Sequence, residues 1–309
     1  MDPSHADWVL GGLFREVSEL NSKFFYDPIP ISNIRNRRVI KSFFAITYFS
    51  LLRAPIFFTS LTPLQNFVKI NPFRTNLKIL FFTHSENEIS KKIIFLLNSI
   101  DLIFCQSVFE KNNLVKLGVK TKVVLITGAI DPERFNGAPK LGSKIAWVGT
   151  PVNRKNPEIF LKFARLNPEI EFKLIGKGWK KHYLWKILKN LNNIDYKEIV
   201  GPLRYEDFNE CSHYLMISSV EGGPISLLEA LAAGLVPICT PAGVANELLT
   251  SLEYQNQLLS LPLSFSEIVL KYKNSYSDEF KSSVKKSIRD YSVTRLCMIF
   301  TNEIQQIIR

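Results

Sequence analysis

From Lys144 onward the chain alternates short apolar, β-rich runs with segments of helical periodicity, and that rhythm restricts the fold more than any other feature. The strand candidates are KIAWVG (144–149), IEFKLIG (170–176), IDYKEIVG (194–201), YLMISS (214–219) and LVPICT (235–240). Between them lie NPEIFLKFARLN (156–167), KKHYLWKILKNLNN (180–193), RYEDFNECS (204–212) and PISLLEALAAG (224–234), each long enough for a crossover helix. Strands joined through helices form parallel βαβ units, and such sheets bind ligands beyond the carboxyl ends of their strands.

The first half repeats the rhythm less regularly. DWVL (7–10), Gly11-Gly12 and LFREVSELNSKFF (13–25) read as strand, tight turn and helix, and Ile40, Phe43, Phe44, Thr47, Tyr48 and Leu51 recur at helical spacing. PIFFTSL (55–61), KILFFTH (78–84), DLIFCQS (101–107) and KVVLITG (122–128) read as further strands. GAPKLGSK (137–144) has linker composition, so the expected domains are 1–140 and 141–290. Beyond about residue 250 the chain turns helical, and 291–309 is expected as a helix returning to the first domain.

A formal net charge of +11, with 18 Lys/Arg against 11 Asp/Glu in residues 1–140 and 21 against 17 in the rest, leans the basic excess towards the N-terminal half. Such a surface suits phosphorylated small molecules, anionic membranes or nucleic acid. The cations are dispersed and no nucleic-acid-binding motif is present, so nucleic acid is not an expected partner. Cys105, Cys211, Cys239 and Cys297 are far apart, with no CxxC pair and no His at ligand spacing; they read as buried thiols of a reducing compartment. MDPSHADWVL lacks the basic start and apolar core of a secretion signal, so a cytoplasmic location is expected. SFFAITYFSLL (42–52), between Lys41 and Arg53, is shorter than the roughly 20 residues that span a bilayer.

The stretch SSVEGGPISLLEALAAG (218–234) carries the chemistry. Pro224 is expected at the first helical position, where no hydrogen bond is lost. The amides of Ile225 and Ser226 then lie at the positive end of the helix dipole, a place for an anion. Gly222 and Gly223 let a ligand approach the backbone. Glu229, about one and a half turns into the helix, is expected to accept from ribose hydroxyls, and Glu221 from hydroxyls of a second moiety. A lone glutamate here reads as a solvated charge. Two of them eight residues apart around Gly-Gly-Pro, after a strand, read as a nucleotide-sugar site.

EGGPISLLEALAAGLVPI (221–238) resembles the Glu-x7-Glu segment of the retaining glycosyltransferases of family 4. LITGAIDPERF (125–135) is similar to that family's domain-crossing segment, and IAWVGTPVNRKNPEIFLKFARLNPEIEFKLIGKG (145–178) to its first βαβ unit. DLIFCQSVFEKNNLVKLGV (101–119) and the Gly11-Gly12 turn also fit. The resemblance implies an α/β GT-B fold, two Rossmann-like parallel-sheet domains facing a cleft, the first for acceptor and the second for nucleotide sugar. It implies that Glu229 binds the ribose, that Glu221 and the amides after it hold donor sugar and phosphate, and that Lys155, beyond Gly149, holds the diphosphate. Gly11 and Gly12 would match the loop that closes over the donor, and His84 the histidine near the transferred sugar. Read on its own, His84 is equally a satisfied residue at a strand end. One position departs from the family: Thr150 follows Gly149 where an Arg is usual, and Arg154 beside Lys155 is the candidate for the second positive charge.

The implied reaction transfers a sugar from a nucleoside-diphosphate sugar, UDP or GDP, with retention, to a glycan or lipid-linked glycan acceptor in cell-surface polysaccharide synthesis. No cofactor is implied. Fixed positive groups on the leaving diphosphate make a metal unnecessary, and no Asp-x-Asp motif is present. Arg35, Arg37, Arg38 and Lys41 precede the apolar helix candidate. They read either as the solvated end of a core helix or as contacts to an anionic membrane surface, which would make the protein peripheral on the inner face of the cell membrane. The alternative to an enzyme is a non-catalytic relative that binds a nucleotide sugar or a glycan.

Overall fold

ILFF (79–82) and LIFC (102–105) are apolar at every position, so the strands they form must be covered on both faces. The structure, a computed structural model, describes residues 56–58, 61–70, 77–82, 89–137, 139–140, 142–199 and 201–308. The expected strand at 7–10, Gly11, Gly12, the segment from Arg35 through the helix over 40–51, and His84 lie outside the described residues.

In the first unit, β1 (Ile56–Phe58), β2 (Lys78–Phe82), β3 (Leu102–Cys105) and β4 (Val123–Leu125) form a parallel sheet in the order β1-β2-β3-β4. The helices α1 (Leu61–Ile70), α2 (Lys91–Leu97) and α3 (Val108–Lys116) connect them. Ser90 and Ser107 cap α2 and α3, accepting from the amides of Ile93 and Glu110. Phe58, Leu80, Phe82 and Ile103 pack with Leu64, Phe67, Leu96, Leu97 and Leu114 of these helices. Side chains alternate across a strand, so Phe57, Phe81 and Phe104 are left for the opposite face. There Phe300 of the last helix meets all three rings, with centroids 5.4, 6.3 and 4.5 Å away. Lys122 pairs with Glu303 of the same helix and donates to Gln306 at 3.1 Å.

The second unit runs from Gly128 to Leu296, and the chain from Cys297 belongs with the first. The division therefore falls ahead of the 137–144 linker. The reason is packing: Ile130 exchanges backbone bonds with Tyr291 (2.9 Å) and Val293 (3.1 Å), and Phe135 is buried in the second unit's core. Its strands are β5 (Lys144–Val148), β6 (Phe172–Ile175), β7 (Ile194–Lys197), β8 (Cys211–Met216) and β9 (Val236–Cys239), all parallel in the order β7-β6-β5-β8-β9. Ile145 and Trp147 face one core with Phe160, Phe172 and Trp179, while Ala146 faces another with Tyr214, Leu227 and Leu231.

Helices form at α4 (Pro157–Leu166), α5 (Trp185–Leu188), α6 (Ile225–Ala232), α7 (Ala245–Ser251), α8 (Phe265–Tyr272), α9 (Asp278–Ile288) and α10 (Val293–Ile308). Two expected crossover helices are not continuous. In 180–193 the extended His182 interrupts, leaving a 3-10 turn at Trp179–Lys181 and the single turn of α5. In 204–212 the carboxylate of Asp207 bonds back to the amide of Arg204, holding a 3-10 turn at Tyr205–Phe208, after which Cys211 already starts β8. All four cysteines are buried and unlinked, and no helix among the described residues is long and apolar enough to cross a membrane.

Two outcomes follow from this packing. Phe300→Ala should cost about 3–5 kcal/mol, read as an earlier urea-unfolding transition of the first unit; a loss under about 1 kcal/mol would refute the bracing role. His213 faces the carbonyl of Asn274 through Nε2 and the hydroxyl of Ser212 through Nδ1. A carbonyl only accepts, so the neutral ring carries its proton on Nε2. Burial pushes its pKa down to about 4 from 6.5, against the raising bond to Asn274. Below pH 6.5 the unfolded chain takes up a proton that the folded chain refuses until about pH 4. Across that window stability should fall by roughly 3 kcal/mol. Urea titrations at pH 7.5, 6 and 4.5 should show the fall in the wild type and a shallower one in His213→Gln.

Candidate functional site

The strand order of the second sheet reverses between β5 and β8: the chain leaves β5 for β6 and β7 and returns on the other side of β5 as β8. The loops that follow β5 and β8 are then neighbours, the place where open α/β sheets bind ligands. One loop is 149–156, the other 217–224.

The first loop ends in a 3-10 turn, Asn153–Lys155, followed by Asn156 in the left-handed region at φ 52°. Asparagine tolerates that conformation, and its side chain donates to the carbonyl of Ile217 at 2.7 Å. From the second loop the amide of Ser219 bonds to the carbonyl of Arg154 at 2.7 Å. These contacts lock the loops together and aim two cations at one acid. Glu221 Oε2 accepts from Arg154 Nη1 at 2.7 Å; Oε1 accepts from Lys155 Nζ at 3.0 Å and from the Ser218 hydroxyl at 2.9 Å. The Glu221 side chain is 7% exposed. Burial by itself would raise its pKa, but the charges of Lys155 and Arg154 and the bonds from Lys155 and Ser218 outweigh it and hold the carboxyl below the usual range. Arg154 also donates to the carbonyl of Val220 at 3.3 Å. Among the described residues, Glu221 is thus the one carboxylate on which Arg154 and Lys155 converge.

Gly149 makes room for this arrangement, because a Cβ there would lie 2.7 Å from Lys155 Cδ. Its contribution is thus to the stem of Lys155. Gly222 is buried, and its carbonyl accepts from the amide of Val244 at 2.8 Å. It serves packing against the 240–244 turn, where Gly243 has φ 59° and a Cβ would fall 2.3 Å from the Gly222 oxygen. Pro224 sits one position before the helix, in extended conformation, and not at its first residue as expected; the first bond runs from the amide of Leu227 to the Pro224 carbonyl at 3.0 Å. Ile225 and Ser226 are therefore the first two helical residues, and no side chain caps the start. The Ser226 hydroxyl pairs with that of Tyr214 at 2.8 Å. Gly223 lies in the turn between Gly222 and Pro224.

Glu229 is buried on α6, and its Oε1 accepts from the amide of Leu203 at 3.1 Å, in the loop after β7. The second glutamate thus reaches a different loop from the first. Among the expected residues, the structure joins Glu221, Arg154 and Lys155 directly, sets Gly149 beneath Lys155, and puts Gly222 through Ser226 and Glu229 along the same turn and helix. Three residues went unnoticed in the sequence: Ser218, Asn156 and Gly243. Asn-Pro at 156–157 and the serine pair ahead of Glu221 are visible signals for the first two. Nothing marks Gly243, whose role depends on a neighbour some twenty residues away. Among the described residues no three His, Cys, Asp or Glu side chains converge as metal ligands.

The same segments carry the likeness to known proteins. Residues 131–285 match the family described as Glycosyl transferases group 1. The O-antigen biosynthesis glycosyltransferase WbnH of Escherichia coli is 24% identical over 196 residues, which cover 62% of this chain and 57% of that protein. The match thus spans little more than half the length of that curated relative. Among solved structures, Anabaena HepE in complex with UDP superposes with a TM-score of 0.66 at 13% identity, covering 87% of this chain and 82% of that one. WaaG, a glycosyltransferase involved in lipopolysaccharide biosynthesis, superposes with a TM-score of 0.55 at 12% identity, covering 94% and 95%. Likeness at such low identity shows the fold, which is GT-B. The family match spans half of the chain and includes the Arg154–Lys155–Glu221 cluster and Glu229, and on it the chain belongs to the glycosyl transferases group 1 family.

Proposed function

We propose that the protein is a retaining glycosyltransferase that moves a sugar from a nucleoside-diphosphate sugar to a glycan or lipid-linked glycan acceptor in cell-surface polysaccharide synthesis. The observation that carries this reading is the convergence of Arg154 and Lys155 on the buried Glu221, beside an uncapped helix start at the switch point of the sheet. Breaking the bond to the anomeric carbon builds negative charge on the leaving diphosphate. Preorganised cations and helix amides stabilise that charge more than they stabilise the ground state. Lys155 and the amides of Ile225 and Ser226 take this role, and Glu229 accepts from the ribose hydroxyls. The transfer needs no metal in this reading, because the cations are supplied by the chain. The O-antigen and lipopolysaccharide relatives support an acceptor at the cell surface, and the UDP in the HepE structure makes UDP the first nucleotide to test. Such an acceptor would hold the protein at the inner face of the membrane.

A second reading, a relative that binds a nucleotide sugar or glycan without transfer, is favoured by Thr150 standing where the family usually has Arg. Two measurements separate the readings. In a thermal-shift panel of UDP, GDP, ADP and CMP with UDP- and GDP-sugars, one nucleoside diphosphate series should stabilise the wild type, by about 2.7 kcal/mol at a hundredfold excess over Kd. The shift should vanish in Glu229→Ala; no shift with any nucleotide would overturn the donor site. With the donor so identified, Lys155→Ala should lower the rate of sugar transfer or donor hydrolysis roughly 100- to 1000-fold. Unchanged turnover in that variant would leave the binding-only reading in place.

A further inference from the structure

Glu229 is held from a loop that the sequence does not connect with it. Its Oε1 accepts from the amide of Leu203 at 3.1 Å, between residues 26 apart in the chain. A built turn presents that amide. Gly201 has φ 119°, a conformation that residues with a Cβ rarely adopt, and the ring of Pro202 fixes the next φ. Leu203 is 4% exposed, and its side chain lies in one core with Phe208 and with Leu227 and Leu228, neighbours of Glu229 on α6. The amide of Arg204 then bonds to Asp207 Oδ2 at 2.9 Å, while Asp207 Oδ1 accepts from Lys197 Nζ of β7 at 2.8 Å. The turn is thus fastened to the helix ahead of it and to the strand it leaves. A glutamate side chain turns about several bonds, and ordering it only when a ligand arrives would weaken binding of that ligand. A fixed amide removes this freedom beforehand. It does not block the carboxylate, which has about four acceptor sites.

Resting on the reading of Glu229 as the ribose acceptor, we propose that Leu203 is a positioning residue for the donor: its backbone amide sets the Glu229 carboxylate for the ribose hydroxyls, and Asp207 holds the turn that carries the amide. Selection of ribose over deoxyribose then depends on the 201–207 turn as well as on Glu229. The Leu203 side chain anchors the turn in the core, and the N–H is the group that acts on Glu229.

Calorimetric titrations of the full chain with UDP, GDP and their 2′-deoxy counterparts test this. For the nucleotide that binds, the wild type should prefer the ribose form roughly tenfold, as the loss of one hydrogen bond to a charged group implies. Leu203→Pro removes the amide hydrogen. There the preference should fall below about twofold, while the 2′-deoxy form binds within about twofold of its wild-type affinity. Leu203→Val keeps the amide and should keep the preference. Asp207→Ala, which leaves Leu203 in place, should lower the preference a few-fold, and it decides the matter if the proline variant does not fold. An undiminished ribose preference in Leu203→Pro, or in Asp207→Ala where the proline variant is unfolded, would overturn the inference. Equal losses for both forms would do the same, since they mark a general structural role. A wild type that binds a nucleoside diphosphate without preferring ribose would remove the ribose role of Glu229 and this inference with it.

Discussion

A buried carboxylate needs company, and the second unit is arranged around supplying it to Glu221. Removing an ionised group from water costs several kcal/mol unless opposite charges and hydrogen bonds replace the lost hydration. Arg154 and Lys155 are those charges, and Lys155, the nearer in the chain, lies 66 residues away. They reach Glu221 only because β8 inserts beside β5, so that the loops leaving the two strands share one end of the sheet. The reversal of strand order thus has a chemical consequence. It brings two cations and a loop acid, each unremarkable in the sequence, into one cluster next to helix amides that no side chain caps.

The supporting contacts explain how this cluster is held in place. Gly149 and Gly243 allow backbone and side chain to approach where any Cβ would collide. Asn156, Ser219 and Thr240 tie one loop to the next through main-chain oxygens and amides. None of these residues touches the Glu221 carboxylate in the bonds described above. Together they remove the freedom that a loop would otherwise lose on binding a ligand, which is how a site built from loops gains the precision of a rigid element.

The first unit meets a different constraint. A sequential parallel sheet sends its connecting helices to one side, because each crossover is right-handed. The opposite face, lined by Phe57, Phe81 and Phe104, would stay wet without an element from elsewhere in the chain. The last helix provides it through Phe300. The C-terminal segment is therefore part of the first unit's core, and the boundaries of the two units follow packing and not linker composition: the segment from Ile130 to Phe135 is committed to the second unit before the Gly- and Pro-containing stretch is reached.

Much of this was legible in the residues. The continuous apolar runs ILFF, LIFC and IAWV marked strands correctly because burial on both faces leaves no other use for them, and the Glu-Gly-Gly-Pro turn marked a loop between a strand and a helix. Where the reading went astray, the cause was local bonding that periodicity does not register: Asp207 closing a turn on Arg204, His182 breaking a helix, and Pro224 capping the helix instead of opening it. By itself the sequence determined the strands, the family resemblance and which residue types could meet a phosphate, since these depend on near neighbours in the chain. The tertiary structure alone decided that Glu221 faces Arg154, Lys155 and Ser218, that Glu229 reaches Leu203, and that Phe300 closes the first sheet. Those pairings depend on strand order and on which face each side chain turns to, and a chain read in one dimension contains neither.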